Sequence, residues 1–182
     1  MVFGWNKKKE EKKSEEIPSQ KQIRLSDVSE IIQQILELRT LQILSDIKSL
    51  RDSTEPLIKE LVMIGNTLEK DNLQVDEIDK HLRIIVVRGK QQVIDMIKKD
   101  AMHLPDITSY DDAENTSAIL NQMLKKIGDV LGRQTRVIHI FAKKYAEKLK
   151  EILIQMNSNH VKIQQLLKKH DNTKFTSAEI LE

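Results

Sequence analysis

Cysteine is absent from this chain, which excludes disulfide bonds and thiolate metal sites. Proline and glycine, the residues that punctuate turns, number only three and five among 182 residues. No apolar run approaches the roughly 18 residues of a membrane-spanning helix, and the N-terminus lacks a secretory apolar stretch. With few aromatic residues as well, the composition predicts an all-helical cytoplasmic protein whose core is built from isoleucine, leucine, valine and methionine.

The back half of the chain carries a long helical pattern. No proline follows Pro105, and apolar residues recur at steps of three, four and, where His160 is skipped, seven. The mean period is about 3.67 residues per turn, which a nearly straight helix satisfies. The pattern predicts an all-α fold, an elongated helical bundle or coiled coil with one very long C-terminal helix, whose narrow apolar seam needs a partner helix. The seam residues are Ile138, Phe141, Tyr145, Leu149, Ile152, Met156, Ile163 and Leu167.

Three regions are expected along the chain. Residues 1–24 mix lysine with glutamate and predict a charged, flexible tail with a Phe/Trp tip. Residues 25–169 predict the helical bundle, and residues 170–182 a flexible C-terminal tail.

Within the bundle, Ser26 is the expected start of a first helix, and Pro56 is expected to break or kink it at residues 53–55. A later helix, spanning about residues 75–103, is expected to point Ile85 inward. Its β-branched run at residues 84–87 leaves a short strand open as the alternative. The pair Ser109 and Asp112 matches the start signal of the back helix.

Two glycines lie one helical turn apart in the back half. Gly128 and Gly132 form a G-x-x-x-G step, and the charged residues around it exclude a bilayer interior. One interpretation is close packing against a facing backbone, with Gly89 as the candidate neighbour. The other is a hinge, because each glycine weakens a helix by about 1 kcal/mol.

No catalytic constellation is found in the sequence. The step Arg88-Gly89-Lys90 lacks the pattern of a phosphate loop, and the five histidines lack metal-ligand spacing. Glu77 and His81 lie four residues apart, which is typical of a solvated helix surface. The acidic cluster at residues 106–114 lacks the glycine and terminal glutamate of a calcium loop. The sequence therefore predicts a non-enzymatic protein with no cofactor, no metal and no small-molecule substrate.

Charge is distributed unevenly, although the formal net charge is only +2. Acids exceed bases in residues 25–80, and bases exceed acids in residues 118–169. The two regions would attract each other if packed antiparallel. Alternatively, a basic face would bind an anion, and without aromatic stacking residues duplex DNA would be held weakly and by charge alone. The candidate anion-binding face consists of Arg133, Arg136, Lys143, Lys144 and Lys150.

The N-terminus combines aromatic and basic residues. Phe3 and Trp5 are followed at once by Lys7, Lys8 and Lys9, a composition that inserts at an anionic lipid surface. Nearby glutamates oppose such binding, so a loosely packed tail is the alternative.

Three segments resemble small uncharacterised helical proteins of ammonia-oxidising archaea. They are Met1–Trp5 with the lysines that follow, Val86–Ile94 (VVRGKQQVI) and Gly128–Leu149 (GDVLGRQTRVIHIFAKKYAEKL). The resemblance implies a helical fold and no assigned activity. In architecture alone the chain is similar to ESCRT-III proteins, although those place a basic hairpin first, whereas residues 25–80 are net acidic here.

These observations predict a non-enzymatic helical interaction or scaffold protein, with a protein partner or self-association expected. Attachment to the inner membrane face through the N-terminus is an added hypothesis. The alternatives are an ESCRT-III-like membrane-remodelling protein and a charge-driven nucleoid or DNA-binding protein. The seam does not set the oligomeric state, because it serves packing within one chain and between chains equally well.

Overall fold

The computed structural model describes residues 25–70 and 80–181, with side chains for residues 27–70, 81, 83–134 and 145–172. Its elements are α1 (Leu25–Lys70), α2 (Lys80–Asp100) and α3 (Tyr110–Leu181). No strand occurs in the described residues, so the prediction of an all-α fold is confirmed. The β-branched run at residues 84–87 is helical, within α2.

The helical residues of α3 form two antiparallel arms. The Tyr110 hydroxyl donates a hydrogen bond to the Leu167 carbonyl at 2.7 Å, and the Tyr110 ring stacks on His170 with centroids 3.7 Å apart. A straight helix would separate residues so far apart in sequence by roughly 85 Å, at 1.5 Å per residue. The chain therefore reverses between the first arm (residues 110–134) and the second arm (residues 145–181).

The single, very long C-terminal helix predicted from the seam is therefore not confirmed. A seam this long can bury its apolar residues against an earlier part of itself, which removes them from water without a second chain. Ser117 lies beside His160, so the two arms stay in contact along their length.

The described residues form an up-down-up-down helical bundle. Each helical rod runs antiparallel to the next, and the second arm returns to pack against α1, as in simple bundles with short connections. Because acidic α1 lies antiparallel to the basic second arm, opposite charges meet across their contact. The directions follow from contacting residue pairs. Glu69–Lys98 and Glu55–His103 show that α1 and α2 are antiparallel. Asp100–Lys126 and Gln92–Gln134 show the same for α2 and the first arm, and Glu60–Lys148 and Thr54–Asn159 for α1 and the second arm.

The core lies at the centre of these rods and is almost wholly aliphatic. From the predicted seam, Leu149, Ile152, Met156 and Ile163 are each at most 1% exposed. His160, which the apolar pattern skipped, fills the gap between them and is buried as well. The largest fully buried side chains elsewhere are Ile47, Leu61, Leu68, Ile94, Ile97, Leu120, Met123 and Ile127.

The predicted inward side of α2 is wrong at Ile85. Its side chain is 54% exposed, whereas Val86 is 1% exposed. Val86 continues the buried series through Val93 and Ile97 at steps that a helix keeps on one side. Ile85 lies about 100° away from that side.

Of the break or kink predicted at residues 53–55, the break is wrong, because α1 runs without interruption through Pro56, and the kink stays a prediction. Proline has no N–H to donate to the carbonyl four residues earlier, so one backbone bond is lost there. The helix continues because the free energy gained by packing its buried face exceeds the cost of the lost bond. Thr54, fully buried one turn after Leu50, donates its hydroxyl hydrogen to the Leu50 carbonyl at 2.7 Å.

The predicted start signal of α3 is confirmed. The Asp112 carboxylate accepts hydrogen bonds from the Thr108 N–H at 3.0 Å and the Ser109 N–H at 2.9 Å. The Ser109 hydroxyl accepts in return from the Asp112 N–H at 3.2 Å, which completes a capping box. Hydrogen bonds from the side chain and backbone of Thr108, and then from Ser109, lower the pKa of Asp112 to about 2.

The end of α3 differs from the flexible tail predicted for residues 170–182, because helix continues to Leu181. His170, with 3% of its surface exposed, packs under the Tyr110 ring. Burial, with the added effect of the Asp171 carboxylate, raises the pKa of Tyr110. The aromatic contact thus extends the folded second arm beyond the predicted boundary.

Candidate interaction surface

The loop between α2 and α3 is fastened to the middle of α1. The Arg51 guanidinium donates to the Leu104 carbonyl at 2.8 Å and to the Pro105 carbonyl at 3.1 Å. Glu55 accepts from the Leu104 N–H at 3.4 Å and pairs with His103. These contacts fix the level on α1, near residue 55, at which α2 ends and the loop turns towards α3.

The charge of Glu55 is held by the same contacts. Burial raises the pKa of Glu55, but the hydrogen bonds from His103 and Leu104 and the positive charges of His103 and Arg51 together lower it. Glu55 therefore acts as an ionised acceptor for the loop at neutral pH.

A polar layer crosses the core at the same level. Asn159 donates to the buried Thr54 hydroxyl at 2.9 Å. On the facing arm, Thr116 and Ser117 are buried near His160. The Thr116 hydroxyl and His160 Nε2 have no hydrogen-bond partner among the described residues. Buried polar groups of this kind restrict the alternative packings a bundle can adopt.

This layer gives the bundle a testable dependence on pH. Burial lowers the pKa of His160 from its ordinary value of 6.5, and a hydrogen bond to the Ser117 backbone opposes the shift. The unfolded chain therefore binds a proton at a higher pH than the folded chain does. Stability is fully present above pH 6.5 and falls as the pH drops towards the folded pKa.

We expect the melting temperature of the wild type to fall more steeply than that of His160→Leu between about pH 7.5 and about pH 5.5. Glu55 does not contribute to this difference, because its pKa lies below 4.5. Thermal melts by circular dichroism at several pH values provide the measurement. Parallel pH profiles for the two proteins would contradict a buried, neutral His160.

No cluster of three or more metal-ligating side chains occurs in the part of the chain that the structure describes. His81 is exposed on α2, and Glu77 lies outside the described residues. A cavity of about 350 Å³ lies between α1 and the second arm. Its lining combines Leu50 and Leu166 with the polar ends of Asp46, Ser49, Lys162, Gln165 and Lys169.

The first part of α1 extends beyond α2 and the first arm. Tyr110, where the first arm begins, lies beside Leu167 and His170 of the second arm. The second arm is antiparallel to α1, so this level corresponds to about residue 42 of α1. We call residues 25–41 the α1 extension; at 1.5 Å per residue it is about 25 Å long. Neither α2 nor the first arm reaches it.

The α1 extension carries a stripe of exposed apolar side chains. One side of this helix, with Ile32 and Leu36, is half-buried. Single exposed apolar residues are common on proteins, but a contiguous set of large ones marks an interaction site. The set, which we call the α1 stripe, is Val28 (43% exposed), Ile31 (53%), Ile35 (47%), Leu38 (66%) and Leu41 (62%).

The predicted anion-binding face does not form one stripe on a straight helix. Arg133 lies on the first arm and Lys150 on the second, so the reversal of α3 separates them in direction. Arg133 donates to the Asp129 carbonyl of its own helix at 3.1 Å. The side chains of Arg136, Lys143 and Lys144 lie outside the described residues.

The predicted membrane contact also lies outside the described residues, since Phe3, Trp5, Lys7, Lys8 and Lys9 all precede α1. Among the described helices, none is long and apolar enough to cross a membrane.

Close packing occurs at a different glycine from those predicted. Gly128 and Gly132 are exposed, and a Cβ added to either would meet no described atom within 4 Å, so the close-packing interpretation is wrong for both. Gly89, its candidate neighbour, is buried in α2. At Gly65 of α1, an added Cβ would lie 2.8 Å from Ile97 Cγ2 of α2. Spacing could not reveal Gly65, because it has no second glycine one turn away.

Comparisons with protein-family models, with curated proteins and with solved structures found no match. The function is therefore inferred from the surface chemistry of the chain itself.

Proposed function

We propose that this protein is a non-enzymatic helical interaction or scaffold protein that docks a helical partner on the α1 stripe. The observation that carries the proposal is the exposure of five large apolar side chains along one side of the α1 extension. An amphipathic helix commonly recognises its partner through apolar residues three and four positions apart. The bundle supplies a rigid base, and the α1 extension presents the contact.

The expected affinity is moderate. Complete burial of one such side chain contributes about 1.5–3 kcal/mol. About half of each stripe side chain is exposed, so burial of that half by a partner contributes roughly 1 kcal/mol per side chain. Association costs at least about 4 kcal/mol in lost translational and rotational freedom. The stripe therefore supports a reversible complex, and the partner must add contacts of its own.

The charges beside the stripe favour a protein partner over an anionic membrane. Asp27, Glu30 and Glu37 lie on the same helix and are exposed. Anionic lipid would repel these carboxylates. Lipid attachment through Phe3 and Trp5, and DNA binding by the basic residues, stay predictions from the sequence.

The proposal predicts that partner binding is lost when the stripe is charged. The double variant Leu38→Glu, Leu41→Glu places two carboxylates where an apolar partner surface would desolvate them, which is costly without a counter-charge. The control Ser29→Glu, Gln33→Glu adds the same charge at exposed positions outside the stripe. Both variants should melt like the wild type.

Affinity capture with chemical cross-linking provides the measurement. We expect the wild type and the control to retain a stoichiometric protein partner, with cross-links mapping to residues 25–41. The stripe variant should recover at least tenfold less of it. Equal recovery by the stripe variant, or no bound protein of any kind with the wild type, contradicts the proposal.

A further inference from the structure

We infer that this protein exchanges the second arm of α3 with a second copy of the chain, forming a dimer in which each α3 is one straight helix. In this dimer the second arm of each copy occupies the place in the other copy that it fills in its own bundle as a monomer. The inference depends on the phase of the buried residues of α3, on the register of its two arms and on the sequence that joins them. It does not involve the α1 stripe, so it is independent of the proposed function.

The buried apolar residues of the two arms lie in phase with each other. On one straight helix with 100° per residue, all of them fall within about 80° of arc. A hairpin does not require this, because two helices that are separated by a turn can rotate independently. The sequence positions of Ile138 and Phe141 fall within the same arc, so a straight α3 carries one unbroken apolar side. The buried residues are Ala113, Leu120, Met123 and Ile127 on the first arm and Leu149, Ile152, Met156 and Ile163 on the second.

The register of the two arms also fits a pair of straight helices. The Tyr110 hydroxyl donates to the Leu167 carbonyl, and His160 is hydrogen-bonded to the Ser117 backbone. Both pairs are centred between residues 138 and 139. Two straight α3 helices, packed antiparallel around a twofold axis at that point, would form the same pairs with one residue from each copy. Exchange therefore preserves the contacts of the second arm and changes only the chain that supplies it.

The sequence that joins the arms favours the straight form. Glycine, proline, asparagine, aspartate and serine, the residues typical of turns, are all absent between residues 133 and 156. The backbone of α3 is assigned as helix from Tyr110 to Leu181, which includes the joining residues 135–144. Straightening α3 in a single copy would expose the core residues that the second arm covers. The straight form therefore needs the second arm of another copy in that place.

Light scattering of the full chain after refolding at low and at high concentration provides the first test. Association costs translational and rotational freedom, so dilute refolding should give the closed monomer and concentrated refolding should add a dimer. The two forms should exchange slowly, because the second arm must leave the core before another can enter. A wild type that is monomeric after both procedures overturns the inference.

Two pairs of cysteines distinguish arm exchange from every other dimer, because the natural chain has no cysteine. Glu60 and Lys148 form an ion pair at 3.1 Å between α1 and the second arm, across the reversal. Glu69 and Lys98 form one at 2.6 Å between α1 and α2, both before the reversal. Both pairs lie at the surface, so replacing each residue with cysteine leaves the core intact.

The dimer fraction of each double variant is treated with a short bismaleimide cross-linker and separated on a denaturing gel. Glu60→Cys, Lys148→Cys should give covalently linked pairs of chains, because these two residues then belong to different copies. The control Glu69→Cys, Lys98→Cys should give single chains linked within themselves. Single chains from both variants would show a dimer without exchanged arms and overturn the inference.

A proline between the arms tests the straight helix itself. Ile140→Pro removes a backbone hydrogen bond of a continuous α3 and clashes with the carbonyl four residues earlier, whereas a reversal between helices tolerates proline. We expect Ile140→Pro to lower the dimer fraction at least tenfold after concentrated refolding, and the control Ile140→Ala to retain it. Equal dimer fractions for these two variants overturn the inference.

Discussion

Replacing Leu61 with aspartate should unfold the bundle, whereas the same replacement at Ile85 should leave it folded. Leu61 has no exposed surface, and its neighbours are aliphatic. An unpaired carboxylate there loses its hydration, at a cost of several kcal/mol beyond the lost apolar burial. That cost is comparable to the whole stability of a domain, about 5–15 kcal/mol.

Ile85 provides the matched control, since it receives the same substitution in a helix of the same bundle. Its side chain is 54% exposed, so the new carboxylate can remain hydrated. We expect Ile85→Asp to change the free energy of unfolding by less than about 1 kcal/mol. Circular dichroism melts of both variants provide the measurement, and an Ile85→Asp protein as unstable as Leu61→Asp would contradict the orientation of α2.

Alanine substitutions at two glycines should change stability in opposite directions. At Gly65 the new methyl group would lie 2.8 Å from Ile97 Cγ2 and 3.3 Å from Ile97 Cβ. These atoms sit close to the backbone of α2, and Ile97 is 1% exposed, so they cannot move aside freely. Overpacking of this kind costs about 1–3 kcal/mol.

Gly132→Ala should instead stabilise the protein by about 0.5–1 kcal/mol, because alanine restricts the unfolded chain and favours helix. The added methyl group at residue 132 meets open space. Urea unfolding of the two variants beside the wild type gives both free energies. A stabilised Gly65→Ala would show that α1 and α2 are not in close contact at this level.

Local periodicity explains why much of the core could be predicted. Leu149, Ile152, Met156 and Ile163 repeat at helical spacing, and that spacing alone places them on one side of a helix. The capping box of α3 is equally local, because Ser109 and Asp112 satisfy each other within one turn. Features of this kind depend on residues three or four positions apart.

The features that could not be predicted depend on what lies opposite. The reversal of α3 brings Tyr110 into contact with Leu167. The periodicity of an apolar seam does not show whether the seam packs against another helix or against an earlier part of its own. Gly65 matters because of Ile97 on another helix. Ile85 was assigned to the core because residues 84–87 are all apolar and therefore specify no side.

The exposure of the α1 stripe is another feature that depends on what lies opposite. Val28, Ile31, Ile35 and Leu38 share the spacing of core residues, so sequence alone could not distinguish a buried stripe from an exposed one. The difference depends on the length of α2 and of the first arm, which both end before they reach residues 25–41.

The contact between α1 and the second arm joins the parts of the bundle that are most distant along the chain. Thr54 and Asn159 are 105 positions apart, whereas the other pairs of rods that touch are neighbours in sequence. Bringing such distant segments together costs more loop-closure entropy than docking consecutive helices, so we expect this contact to form late in folding. The α1 extension continues directly from the rod that closes the ring. Under the proposed function, a partner bound to the stripe would therefore lie on the same helix whose docking completes the fold.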